Sequence, residues 1–191
     1  MLILCGTRHG EDHLAEFYVR QIMCSKTEMT IHDLAKIIIE KAIQKGVVIV
    51  LAESCTGGMI SAALTNIPGS SAILDRGLVT YSNAAKKELL GVSDNILARY
   101  GAVSAETASA MTKGALANTS AASLAASVTG IAGPGGSSAE KPVGLVHFSC
   151  QKRECIPVLE QHVFTGNREE IRLKSVRKLL EMIYETMDCS F

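Results

Sequence analysis

The chain has 191 residues, 47% hydrophobic and 20% charged, which suits one globular domain, excludes a mainly disordered protein and leaves little room for a second full domain. Nineteen Lys plus Arg balance nineteen Asp plus Glu, so there is no net positive field to hold a polyanion and nucleic-acid partners are not expected. The six Cys show no CxxC pair or His cluster of the kind a zinc site needs, and no apolar stretch reaches the roughly 20 residues of a membrane span; reduced thiols, no metal, no membrane contact and a cytoplasmic location are the expectations.

Residues 1–28 mix charged residues, His and Cys without a clean period, and Met29 opens what reads as a fresh start. The expected division is therefore residues 1–28 as an N-terminal extension of unknown role, an appendage or an upstream extension of the reading frame, and residues 29–191 as the domain. A helix capped near Thr30 or Asp33 carries Leu34, Ile37, Ile38 and Ile43 near helical spacing and stops at Gly46. "VVIVLAE" (47–53) is apolar on both faces, as a central strand between two helical layers requires. "MISAALTNI" reads as a helix ended by Pro68 and Gly69, and "AILDRGLVTYS" as the next strand. "NAAKKELLGV" and "SDNILARYG" read as short helices that open on a capping Asn or Ser and close at Gly. A longer helix over about residues 104–118 places Val103, Thr107, Met111, Ala115 and Leu116 along one side. "ASLAASVTG" is a strand of small residues, "IAGPGGSSAEKP" a loop, and "VGLVHFSC" and "PVLEQHVFTG" form a hairpin around "QKRE". The last helix starts near Arg168 and turns Ile171, Val176, Leu179, Leu180 and Ile183 inward. Together these predict an α/β fold, a three-layer α/β/α sandwich with a mixed, mostly parallel sheet.

Ligands of such sheets sit beyond the C-terminal ends of the strands. Three of these ends carry hydroxyls: Ser54 with Thr56, Thr80 with Tyr81 and Ser82, and Ser127 with Thr129. In "AESCTGG" a strand turns into a helix at Ser54, Cys55, Thr56, Gly57 and Gly58, where unpaired N–H groups and the helix dipole could receive a phosphate or an oxyanion. The alternative is that Ser54 or Thr56 only caps the helix. Lys86 could serve as base if burial or a nearby cation lowered its pKa from about 10.4 to about 7 or 8. Lys86 and Lys87 read equally as a solvated helix face. Glycines 130, 133, 135 and 136 make the loop of "VTGIAGPGG" an anion cradle that includes Gly133, a mobile lid, or a plain surface loop. Arg168, at the start of the last helix, is either a bidentate phosphate ligand or a surface charge.

In order and spacing, "LAESCTGG", "GSSAILDRGLVTYSNAAKKELLGV", "YGAVSAETA", "VTGIAGPGG", "EKPVGLVHF" and "FTGNREEIR" resemble the CinA C-terminal domain family, from about Thr30 to about Tyr184. Stand-alone members of that family are nicotinamide mononucleotide amidases. The resemblance implies hydrolysis of the carboxamide of nicotinamide mononucleotide to nicotinate mononucleotide and ammonia, with no cofactor, in NAD salvage. It implies Ser54 as nucleophile, Lys86 as its base, Tyr81 to orient the serine or relay a proton, and Thr129, Gly130 and Arg168 along the substrate, with Arg168 on the phosphate. It also implies a homo-oligomer, a dimer or larger. A lysine held against phosphate would have its pKa raised, so base and phosphate ligand must differ, as Lys86 and Arg168 do. Two rivals stand beside this reading: a Cys55 amidase using Glu53, Cys55 and Lys86, the residue types of the nitrilase-type enzymes, and a non-catalytic nucleotide-binding or competence-associated module.

Overall fold

Five consecutive buried residues, Ile49–Glu53, form β1, as expected of a strand with a helical layer on each face. The computed structural model describes residues 29–189. The expected extension, residues 1–28, lies outside the described residues. Around β1 the sheet is built from β2 (Leu74–Val79), β3 (Leu124–Gly130), β4 (Leu145–Lys152) and β5 (Val158–Val163), in the order β2-β1-β3-β4-β5 among the described residues. β1 pairs parallel with β2 and β3, whereas β4 runs antiparallel to both β3 and β5. The sheet is thus mixed, with its parallel part at the start of the chain and equal numbers of parallel and antiparallel pairings. The cause is the late hairpin: each parallel pair needs a helical crossover, while β4 and β5 are joined by a short turn.

Three helices cover one face: α1 (Ile31–Lys45), α2 (Met59–Thr65) and α6 (Arg168–Thr186). On the other lie α3 (Asn83–Leu90), α4 (Asp94–Tyr100) and α5 (Ala105–Ala117). Ala52, Ala115, Ala122 and Ala125 let α5 approach the sheet closely, where Met111, Val50, Leu90 and Val92 complete the core on that face. All five apolar residues expected to face inward from α6 are buried.

Two local expectations are corrected. Ile43 is 51% exposed, because Leu34, Ala35, Ile38, Ile39 and Ala42 form the buried stripe of α1; at 100° per residue Ile43 lies roughly 100° from its centre. The cap of α3 is Ser82, not Asn83, with the Ser82 hydroxyl accepting from the Ala85 amide. Ser93, Ser104 and Asn167 cap α4, α5 and α6 in the same way. Among the described residues no helix is long and apolar enough to cross a membrane.

Candidate active site

The parallel ladder continues past the ends of its strands and fixes the residues beyond them. Ser54 donates its amide to the Val128 carbonyl (3.0 Å), and Thr80 donates to the Glu53 carbonyl (2.8 Å). Ser54 and Thr80 are thereby brought to adjacent strand ends. Lys86 sits in the first turns of α3, where a long side chain runs back toward the helix N-terminus and so toward the end of β2. Its Nζ lies 3.0 Å from Ser54 Oγ, 2.8 Å from the Thr80 carbonyl and 3.4 Å from the Tyr81 carbonyl. Lys86 is 1% exposed and Ser54 7%. Burial holds the Lys86 amine below its ordinary value of 10.5, against a smaller opposing effect of the Cys55 thiol. A neutral amine has two N–H bonds and one lone pair. When that amine is neutral and the carbonyls of residues 80 and 81 accept its N–H groups, its lone pair is free for the Ser54 hydroxyl, whereas the charged form donates to Ser54 Oγ. Neighbouring Lys87 behaves as a surface lysine, pairing with Asp94 at 2.7 Å.

The turn that follows β1 is held from both sides. Gly57 and Gly58 take positive φ values of 61° and 95°, which side chains beyond Gly adopt only with strain. The Glu53 carboxylate, fully buried, accepts five hydrogen bonds: from the Thr56 and Ser61 hydroxyls and the amides of Gly58, Ile60 and Ser61. It is an internal anion at the start of α2. Arg172, from α6, donates to the carbonyls of Cys55 (3.1 Å) and Thr56 (2.8 Å). Neither Glu53 nor Arg172 was expected in these roles. A Glu that ends an apolar strand just before a helix start was the available signal. Glu53→Gln turns an amide N–H₂ toward these donors and should destabilise the fold by about 3 kcal/mol or more, read as a lowered urea midpoint.

These contacts correct the expected anion cradle. The Gly57 amide donates to the Ser54 carbonyl and the Gly58 amide to Glu53, while the fully buried Thr56 turns its hydroxyl to Glu53. The Thr56 hydroxyl and the Gly57 and Gly58 amides are therefore already engaged in shaping the turn. The Thr129 hydroxyl donates to the Ala102 carbonyl (2.7 Å), and Ser127 to that of Ala108 (2.7 Å), so neither hydroxyl is offered at the strand end. Gly130 serves close packing, since a Cβ there would stand 2.8 Å from the Leu145 carbonyl oxygen.

Tyr81 is also corrected. Its ring is 61% exposed and its hydroxyl accepts from Arg168 Nη2 at 3.0 Å, so its link to the dyad is its carbonyl on Lys86. Arg168 Nη1 donates to the Gly133 carbonyl (2.7 Å). Arg168, Tyr81 and Gly133 thus form a connected rim. The Cys55 arrangement is not assembled: burial pushes that thiol up to about 12, Glu53 is engaged on both oxygens, and the Lys86 amine lies against Ser54. Chemically, the site sets a buried amine against a serine hydroxyl and is linked through Tyr81 to an exposed guanidinium.

Comparison with known proteins decides the relationship: the model of the CinA C-terminal domain matches residues 31–187. The chain belongs to the CinA C-terminal domain family. A nicotinamide-nucleotide amidohydrolase, PncC, of Enterobacter agglomerans is 48% identical over 149 residues, 78% of this chain and 90% of that protein. A CinA-like protein of Syntrophobacter fumaroxidans is 43% identical over 158 residues, 81% of this chain; the match spans 36% of that longer protein. Among solved structures, a competence/damage inducible protein, CihA, of Agrobacterium tumefaciens superposes with a TM-score of 0.80 at 47% identity, covering 84% of this chain and 99% of that one.

Proposed function

We propose that this CinA-domain protein is an amidohydrolase that converts nicotinamide mononucleotide and water to nicotinate mononucleotide and ammonia. The observation that carries the reading is the 3.0 Å approach of the buried Lys86 amine to Ser54 Oγ. The 48% identity to an amidohydrolase over nearly all of that protein's length supports the substrate.

In this reading Ser54 Oγ attacks the carboxamide carbon while Lys86 Nζ takes the hydroxyl proton. The same proton then goes to the departing nitrogen, the C–N bond breaks and ammonia leaves a Ser54 acyl ester. Lys86 next takes a proton from water, whose oxygen attacks the ester carbon and releases the carboxylate and the Ser54 hydroxyl. The amides of Cys55 and Thr56 adjoin the nucleophile and are the donors assigned to the oxyanion, worth roughly 2.7–4 kcal/mol for each well-placed donor. Arg168 is assigned to the phosphate, with Tyr81 holding its guanidinium at the rim. This keeps the phosphate charge away from Lys86, whose amine must stay neutral. The protein is further read as a homo-oligomer.

The test is ammonia release by purified protein given nicotinamide mononucleotide, with nicotinamide riboside as the substrate lacking phosphate. Turnover of the mononucleotide is expected; nucleotide binding without ammonia would replace the enzyme with a binding module. Arg168→Ala should lower kcat/KM for the mononucleotide by about 10- to 100-fold, mainly through KM, and change the riboside little. Equal losses on both substrates would remove Arg168 from the phosphate.

A further inference from the structure

Arg168 and Arg172 stand one turn apart on α6 and so project from the same side of it, yet they meet different groups. Arg168 reaches Gly133 and Tyr81 at the rim, whereas Arg172 Nε donates to the Cys55 carbonyl at 3.1 Å and its Nη2 to the Thr56 carbonyl at 2.8 Å. Among the described residues no carboxylate pairs with Arg172. A half-buried guanidinium is thus spent on two neutral carbonyls, both in the turn that carries Ser54.

We propose that Arg172 is a positioning residue for the reaction at Ser54: by holding the Cys55 carbonyl it aims and polarises the Thr56 amide as a donor to the oxyanion. The link runs through single peptide units. The Cys55 carbonyl and the Thr56 N–H belong to one planar amide and point in opposite directions. A cation on that oxygen draws electron density from the nitrogen and makes the N–H a stronger donor. The Cys55 carbonyl is turned to α6 on one face of the sheet, so the Thr56 N–H is turned toward the other, from which Lys86 reaches Ser54 Oγ. Among the described residues that N–H donates to no other group. The amides of Gly58, Ile60 and Ser61, by contrast, are taken by Glu53. The second bond of Arg172 acts one peptide further on. The Thr56 carbonyl shares its amide with the Gly57 N–H, which donates to the Ser54 carbonyl at 3.1 Å, so the same guanidinium strengthens the bond that closes the turn on Ser54. A donor aimed at charge that develops only in the transition state changes kcat and leaves substrate affinity nearly alone.

The inference rests on the amidohydrolase reading for its substrate and on Ser54 for its chemistry. Arg172→Gln removes the charge, and Arg172→Lys keeps it. Arg172→Gln should lower kcat for nicotinamide mononucleotide about 10- to 100-fold with KM within about threefold, should lower kcat/KM for the riboside by the same factor, and Arg172→Lys should recover part of the loss. A residue that only anchored α6 to the turn would lower the urea midpoint without this split between kcat and KM. Acetylation of Ser54 by p-nitrophenyl acetate, located by mass spectrometry, reads the same donor without any nicotinamide compound and should slow at least about 10-fold in Arg172→Gln. Unchanged kcat and acetylation in folded Arg172→Gln, or a loss confined to KM, would overturn the role of Arg172. An unsubstituted protein that releases no ammonia, but whose Ser54 is acetylated and is acetylated more slowly in Arg172→Gln, would remove the substrate and keep Arg172 in place. An unsubstituted protein with neither activity would overturn both.

Discussion

Ser54→Ala should reduce ammonia release from nicotinamide mononucleotide by at least about 10³-fold, while Cys55→Ala should leave the rate within about threefold. The contrast comes from the two side chains' surroundings. Ser54 Oγ faces an amine with a lone pair to receive its proton, whereas the adjacent thiol is buried, held up to about 12, and therefore protonated at neutral pH. Removing the Ser54 hydroxyl leaves one buried amine with fewer partners, a loss on the order of 1 kcal/mol. The Ser54→Ala protein should accordingly stay folded, and its unchanged circular dichroism would separate lost chemistry from lost structure. Full turnover by Ser54→Ala, or collapse of the rate in Cys55→Ala with the fold intact, would transfer the nucleophile's role.

Lys86→Met should cost about 10²- to 10⁴-fold in kcat, the usual contribution of a positioned base, and should also change how stability depends on pH. The sign follows from proton binding. Burial lowers the Lys86 pKa in the folded state below its unfolded value of 10.5. Between the two values the unfolded chain binds more protons, so the stability of the unsubstituted protein rises with pH across that window. Below the folded-state pKa both states carry the proton and the burial penalty is fully present. Met has similar length and no charge, so Lys86→Met should abolish that rise and be relatively more stable near neutrality. The carbonyl of Thr80 and the hydroxyl of Ser54 lose a partner, which offsets part of the gain. Denaturant unfolding at a series of pH values checks the difference in slope; parallel curves for the two proteins would mean that Lys86 is already solvated or ion-paired.

Helical caps and the two-faced apolar run of β1 made the layers of this fold legible, because both depend on local hydrogen bonding and on periods of a few residues. Ile43 was misplaced because four apolar positions near helical spacing allow more than one stripe, and the choice between them is made by what α1 packs against. The lysine pair shows the same limit at the site. Lys86 and Lys87 are adjacent and chemically alike, yet one is buried and the other meets Asp94; only the docking of α3 beside the end of β2 separates them. Hydroxyls at strand ends pointed to Ser54, which meets the Lys86 amine, and equally to Thr56, Thr129 and Ser127, whose hydroxyls serve internal carboxylate or carbonyl groups. Glu53 was hidden for a related reason. The Glu53 carboxylate takes the amides of Gly58, Ile60 and Ser61 that a ligand was expected to meet, and spacing alone does not reveal that their acceptor is internal.

The central claim is that one lysine is held neutral against the serine, and the most direct measurement is the titration of the lysine side chains by ¹⁵N and ¹³C NMR. A single signal, absent in Lys86→Met, should titrate below 10.5 and at the same pH as the acid limb of kcat/KM for nicotinamide mononucleotide. Lysine signals that all titrate near 10.5, or an acid limb unrelated to any lysine, would contradict it.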